Sequence, residues 1–275
     1  MSGKLYVVGT PIGNLSDFSP RAVETLASVD FIAAEDTRVT LKLLNHFEIK
    51  KPMVSYFEHN RRERGEIILE RIKSGESCAI VTDAGMPAIS DPGEDLVNLC
   101  LSNGIAVESV PGPTAFATAV AMSGLPSGRF TFEGFLSVNK PSRREHLEEI
   151  VSERRTMVFY EAPHKLTATL KDLYKYLGDR RIALIKELTK IHETVERTTL
   201  SEACEKYSAQ APKGEFVIVI EGSAEPKQKE VSLDEAVALA KCLVENGMAI
   251  NDAAKEIAKE TKLKKGDIYK ALLGE

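Results

Sequence analysis

Four short apolar runs, at 5–8, 31–34, 78–82 and 106–110, are separated by stretches of helical periodicity at 20–28, 40–47, 62–74 and 94–102. That alternation restricts the first part of the chain to strand–helix units around a largely parallel sheet. Ser19 and Pro20 supply an N-cap and a first-turn proline for the first helix. A second set of runs follows the PGPT turn at 111–114, at 130–135, 157–161, 182–187, 195–199 and 216–221, and it reads as more mixed in strand direction. The stretch EGSAEPKQKE, 221–230, is polar, lacks periodicity and carries a proline, which marks a linker. Beyond it, Ser232 and Glu235 form a capping box and Gly247 a helix stop, and two more amphipathic segments complete a small three-helix, helix-turn-helix-like module. The expected organisation is an N-terminal α/β lobe at 1–112, a second α/β lobe at 113–222 and a helical module at 231–275.

Composition narrows what such a chain does. At 275 residues and 43% hydrophobic content it can bury a sizeable core. No run of about 18 apolar residues suits a membrane span, and MSGKLYVVG enters a strand without a basic leader, so the expectation is a soluble, cytoplasmic protein with no membrane partner. Cys78, Cys100, Cys204 and Cys242 match no C-x-x-C spacing and read as buried thiols. The five histidines form no H-x-x-x-H pair, so no metal site is expected. A net charge of −5, from 36 Lys plus Arg against 41 Asp plus Glu, argues against coating nucleic acid through global charge. Any nucleic-acid contact must be local.

Three loops at strand ends carry the functional signal. VVGTPIGN, 7–14, has neither a dinucleotide fingerprint nor a G-K-[ST] ending, and Pro11 removes one N–H from its turn. It is either a plain strand-to-helix turn or part of a site for a ligand without phosphates. AIVTDAGMPAISDPG, 79–93, leaves a buried strand and presents Asp83, Gly85 and Asp91, suited to a hydroxyl or ammonium group. The alternative is that Asp83 and Asp91 merely cap turns and a helix. VPGPTAFATAVAMSG, 110–124, sets a Pro- and Gly-rich turn before a helix of small residues. Three such loops imply one shared cleft.

These motifs, with AAEDTR at 33–38, HN at 59–60, FEGFL at 132–136, FYEAPHKL at 159–166, ELTKIHE at 187–193 and KGEFVIVIEG near 220, resemble a family of small-subunit ribosomal RNA methyltransferases of the tetrapyrrole methylase class. The resemblance runs from Leu5 to Gly222. It implies two α/β lobes of the class III methyltransferase type that bind S-adenosylmethionine between them, usually in a homodimer. It also implies methylation of a cytidine ribose 2′-hydroxyl in the decoding region of 16S rRNA, within the small ribosomal subunit. By the same resemblance the donor site takes Pro11, Asp83, Ala84, Gly85 and Ile89, Thr114 and Ala115, and Tyr160 of the second lobe. A relative acting on a corrin or a modified amino acid, or a catalytically silent RNA-binding protein, remains an open alternative.

Methyl transfer from a sulfonium is an in-line displacement, so positioning comes first and a proton acceptor near the hydroxyl assists. Glu35 and Asp36 of AAEDTR are the candidate bases, beside Arg38 as a phosphate-gripping guanidinium. The competing reading is an internal Asp–Arg ion pair or helix cap. Lys190 is a candidate for orienting the nucleotide, whereas His59 and His164 read as structural or solvated. For RNA, NRRER offers Asn60, Arg61, Arg62 and Arg64, and NKPSRR offers Lys140, Arg143 and Arg144, with solvated helix faces as the alternative. KLKKGD, 262–267, is a further candidate for touching the ribosome, and equally for a dimer or surface element.

Overall fold

The computed structural model describes residues 3–224, 232–261 and 263–273. The first sheet is built by β1 (Lys4–Val8), β2 (Phe31–Ala34), β3 (Met53–Ser55), β4 (Cys78–Val81) and β5 (Ala106–Val110) in the order β3-β2-β4-β1-β5. Every pairing in it is parallel. The crossovers are α1 (Pro20–Ser28), α2 (Thr37–His46), α3 (Arg61–Lys73) and α4 (Gly93–Ser102). β2 and β4 are buried at every residue, as strands covered on both faces must be. Two apolar clusters flank the sheet, one around Phe31, Ile68 and Leu96 and one around Phe18, Leu26 and Ile32.

Two details depart from the expected elements. β3 is a three-residue edge strand, half-buried throughout, whose short run carries little periodicity. α2 begins at Thr37 rather than near residue 40, because the Asp36 side chain accepts the Arg38 N–H and caps the helix three residues early.

The second sheet contains β6 (Phe130–Gly134), β7 (Thr156–Glu161), β8 (Arg181–Lys186), β9 (Thr194–Thr199) and β10 (Phe216–Ile220), ordered β6-β7-β10-β8-β9. β6 runs parallel to β7, and the other three pairings are antiparallel, which is the mixed direction expected. α6 (Lys140–Glu149), α7 (Pro163–Leu177) and α8 (Leu200–Ala209) complete this half. α5 (Ala115–Ser123) follows the last strand of the first sheet yet packs on the second, where Phe116, Ala119 and Val120 join Val158, Ala183, Ile185 and Val217. The PGPT turn therefore carries the chain from one sheet to the other.

Packing divides the chain into Met1–Ser223 and Ala224–Glu275. The smaller unit contains α9 (Leu233–Glu245), α10 (Ile250–Thr261) and α11 (Lys265–Leu273) around Ala236, Ala240, Ala253, Ala254, Ile257 and Ile268. The Ser232–Glu235 capping box opens α9. Most of the expected linker, residues 225–230, and Lys262 of KLKKGD lie outside the described residues. Cys78 and Cys100 are buried and Cys204 is half-buried, but Cys242 is exposed, two residues off the Ala236–Ala240 stripe of α9. No helix among the described residues is long and apolar enough to cross a membrane.

Candidate active site

The loops after β1, β4 and β5 converge because their glycines let backbones touch. A Cβ at Gly9 would stand 2.7 Å from both the Gly112 backbone and Met86 Sδ, and one at Gly112 would stand 2.8 Å from Gly9 C. Thr10 and Gly85 exchange backbone hydrogen bonds of 2.9 and 3.2 Å, and the Thr10 hydroxyl donates to the Thr82 carbonyl. Gly9 N–H is taken by the Val110 carbonyl. The first two amides of GTPIGN are thus spent on the neighbouring loops, and Pro11 has none. The DAG loop is itself bent unusually, with φ of +67° at Ala88 and +64° at Ser90, held by Asp91 Oδ1 accepting from Ala88 N and Gly93 N at 2.9 and 2.7 Å.

Between these loops and the second sheet lies a cavity of about 590 Å³. The first lobe contributes Ile12, Glu35, the run 82–86 and 89–91, and the second contributes Phe135, 160–164, Ile185, Leu188 and 215–217, with 114–116 between them. Glu35, Asp83, Asp91, Glu161 and Glu215 put five carboxylates in that lining, which among the described residues holds no lysine or arginine. The opposite wall is apolar, from Ile185, Leu188 and Val217. Glu215 is paired with the Lys190 ammonium just outside the lining, and the four acids that remain favour a cationic, partly apolar ligand and repel phosphate.

The acids are coupled. Glu35 Oε2 accepts from the Thr82 hydroxyl and, at 3.4 Å, from Asp83 N. Asp83 Oδ1 accepts from Asp36 N at 3.1 Å. Partial burial raises the Asp83 pKa, and the adjacent Glu35 charge raises it further. Burial likewise pushes Asp91 up against the two amides that favour its charge. Asp36 turns away from the cavity: it caps α2 and forks onto Arg38, and those hydrogen bonds hold its pKa at about 2. The helix cap and the ion pair that compete with a catalytic role are both present at this residue.

Of the expected donor residues, Asp83, Ala84, Gly85, Ile89, Thr114, Ala115 and Tyr160 line the cavity, and Pro11 does not, its place being taken by Ile12. Tyr160 is fixed by accepting the Phe116 N–H at 3.1 Å, and burial raises its pKa. Lys190 lies outside the lining. Its ammonium bonds Glu215 at 3.0 Å and Glu187 at 3.3 Å, and although burial works to lower its pKa, the two carboxylates outweigh that and raise it. Its stem meets the first loop, since a Cβ on Gly13 would stand 2.7 Å from Lys190 Cγ.

The basic candidates separate in the same way. Arg38 is 87% exposed at the side chain despite its pairing, and Arg62, Arg64 and Lys140 are exposed. Arg61 is held by Asp95 and Glu58, and Arg144 pairs with Glu148. Arg143 points inward, bonding Asp172 at 2.8 Å and the Thr169 hydroxyl at 2.9 Å, so it ties α6 to α7 rather than facing a backbone phosphate. Asn60 accepts the Phe57 N–H and donates to the Ser55 carbonyl, a turn-forming role. His164 lines the cavity, and His59 is exposed beside the Phe57 ring. The buried Glu161, which holds Ala162 N and Thr169, escapes a reading of the sequence, because a lone acid ending a strand has no distinguishing pattern. Among the described residues no three His, Cys, Asp or Glu groups are placed to hold a metal.

Residues 4–204 match the family described as Tetrapyrrole (Corrin/Porphyrin) Methylases. Solved structures of similar fold include the cobalamin biosynthetic enzyme cobalt precorrin-4 methyltransferase, with a TM-score of 0.60 at 20% identity over 79% of this chain and 94% of that one. Another is uroporphyrin-III C-methyltransferase from Thermus thermophilus complexed with S-adenyl homocysteine, at 0.56 and 18% over 79% and 97%. Among curated relatives, ribosomal RNA small subunit methyltransferase I of Synechocystis sp. is 45% identical over 98% of both chains. That of Bacillus subtilis is 42% identical over 98% of this chain and 94% of its own, and that of Thermotoga maritima 48% over 80% and 99%. The chain belongs to the tetrapyrrole methylases and, within them, to the ribosomal RNA small subunit methyltransferase I family.

Proposed function

We propose that this protein methylates the ribose 2′-hydroxyl of a cytidine in the decoding region of 16S rRNA, within the small ribosomal subunit, with S-adenosylmethionine as donor. It acts in the cytoplasm and as a homodimer on this reading. The observation that carries it is the cavity of five carboxylates and, among the described residues, no lysine or arginine, facing an apolar wall, in a chain whose near-full-length relatives bear an rRNA methyltransferase name. The donor is amphipathic, with positive charge at its sulfonium and ammonium against a single carboxylate, and its volume class suits a cavity of this size. When bound, it supplies a methyl group on a positively charged sulfur. Asp83 and Asp91 hold its positive charge, Gly85 leaves room against the loop, and Ile185, Leu188 and Val217 exclude water from the apolar part.

Of the two acids in AAEDTR, Glu35 is the base, because it alone reaches the cavity. It takes the hydroxyl proton as the ribose oxygen gains the methyl carbon and the sulfur–methyl bond breaks with its electron pair left on sulfur. Thr82 and the Asp83 amide orient that carboxylate. Lys190 keeps its proton and braces the first loop against β10 through Glu215, so it positions rather than abstracts. RNA phosphates stay outside the acidic cavity, on the exposed Arg38, Arg62, Arg64 and Lys140. Tritium transfer from labelled donor to 30S subunits, with mapping of 2′-O-methyl groups, tests the reading. Label appearing on a ribose of 16S rRNA supports it. Label accepted only by free tetrapyrroles, or donor affinity absent by calorimetry, overturns it.

A further inference from the structure

Methyl transfer as proposed leaves one feature of the cavity unused. An aromatic ladder runs from Phe116 to Phe132, stacked at 4.6 Å, to Tyr160 at 5.0 Å, and from Tyr160 to Phe135 at 5.6 Å, edge to face. The Tyr160 hydroxyl accepts the Phe116 amide, which closes the ladder on itself and fixes its geometry. Phe116, Phe132 and Tyr160 are at least half-buried in the core beneath the second sheet, but Phe135 is 57% exposed while still lining the cavity.

That exposure is built in. The pairing of β6 with β7 slips between Phe132 and Gly134, and Gly134 takes φ +64°, a backbone state that side chains rarely adopt. Such a bulge re-aims the next side chain. It brings the backbone against the other lobe, since a Cβ on Gly134 would stand 3.4 Å from Ser90 Oγ of the DAG loop. Phe135 therefore projects where the two lobes meet at the cavity mouth, and the same segment leads on to the exposed Lys140. An open ring followed by a cation is the arrangement that holds a single-stranded nucleotide, with the base on the ring and the phosphate on the charge.

We propose that the open face of Phe135 stacks on the unpaired base of the nucleotide whose ribose is methylated, positioning that ribose at the acidic cavity. The proposal rests on the rRNA reading above. Its test compares wild type with Phe135→Ala, Phe135→Leu and Phe135→Tyr in steady-state methyl transfer to 30S subunits at saturating donor, alongside donor dissociation constants by calorimetry. Loss of one stacked base predicts a fall of about 5- to 150-fold in kcat/KM for the subunit in Phe135→Ala. Phe135→Leu, which keeps apolar bulk, falls with it, Phe135→Tyr keeps most of the activity, and donor affinity stays constant in all four. Leucine performing as well as tyrosine, alanine matching wild type, or weakened donor binding in Phe135→Ala would each overturn the stacking role while leaving the rRNA reading intact. Failure of the wild-type protein to label the subunit at all overturns the underlying reading, and the stacking role with it.

Discussion

At Gly9 and Gly112 the site depends on the absence of side chains. Gly9→Ala would drive a methyl to 2.7 Å from two neighbours, one of them main chain, and overpacking of that kind costs about 1–3 kcal/mol. A lowered midpoint in urea with an unchanged m-value is the expected result. Gly85 is constrained by conformation as well as space: it sits at φ +92° with Ile12 Cγ2 3.4 Å from an added Cβ. Gly85→Val should therefore add about 1–3 kcal/mol of backbone strain and weaken donor binding, which calorimetry would detect. Asp83 gives a prediction of opposite sign for stability and binding. Its pKa is raised, so the protonated form is the one the fold prefers; the stabilisation is full below the unfolded pKa and is lost as pH rises through the higher folded pKa. Asp83→Asn retains the acceptor for Asp36 N–H and should match or exceed wild type in melting temperature at pH 7, with no difference below about pH 3.9. Donor affinity should nevertheless fall in that variant, and in wild type it should decline on acidification at a higher pH than an ordinary aspartate would give. A variant that loses stability at pH 7 and keeps donor affinity would sink the assignment.

Elements differ in what their charges can reach. NRRER and NKPSRR look equivalent as sequence, yet α3 leaves Arg62 and Arg64 exposed while tying Arg61 to Asp95 and Glu58, and α6 turns Arg143 inward. Replacing Arg62 and Arg64 by Gln should weaken subunit binding and lower the salt slope by about 0.7–0.9 for each phosphate that is no longer neutralised. Arg61→Gln should leave that slope unchanged. Equal slopes for wild type and the double variant, measured by filter binding across salt, would return α3 to a merely solvated face. In the smaller unit the capping box of α9 makes a separate claim: Ser232→Ala removes the acceptor for Glu235 N–H at 3.2 Å. It should destabilise that unit by about 1 kcal/mol, visible by hydrogen exchange in α9 while donor affinity is untouched.

For the whole molecule, the division at Ser223 leaves all cavity-lining residues and both sheets in the larger unit, and the smaller one has its own apolar core. The Thermotoga maritima relative, 99% covered by 220 residues of this chain, is about the length of the larger unit alone. A protein ending at Ser223 should fold, bind the donor with the affinity of the full chain and gain about 2.7 kcal/mol of stability at a hundredfold excess of donor over Kd. Loss of donor binding on truncation would show that the helical unit completes the site.

Much of this is legible in the sequence. Periodicity marks the long, buried strands and amphipathic helices because burial on both faces demands unbroken apolar runs, as in β4 and β10. Pro- and Gly-rich turns at strand ends mark the three loops, and seven of eight expected donor residues line the cavity. What local pattern does not contain is the company each side chain keeps. β3 is too short to show a period, and Glu161 and Phe135 are ordinary residues until the second sheet brings them to the cavity. Glu35 and Asp36 are neighbours of the same charge in the sequence. Only the parallel pairing of β2 with β4 sets Glu35 against Thr82 and leaves Asp36 to cap α2. Local chemistry thus determined which elements form and where loops can bend, since those depend on near neighbours. Which carboxylate faces the cavity and which arginines stay free was decided by interactions between residues distant in sequence, which exist only once the two sheets have closed on each other.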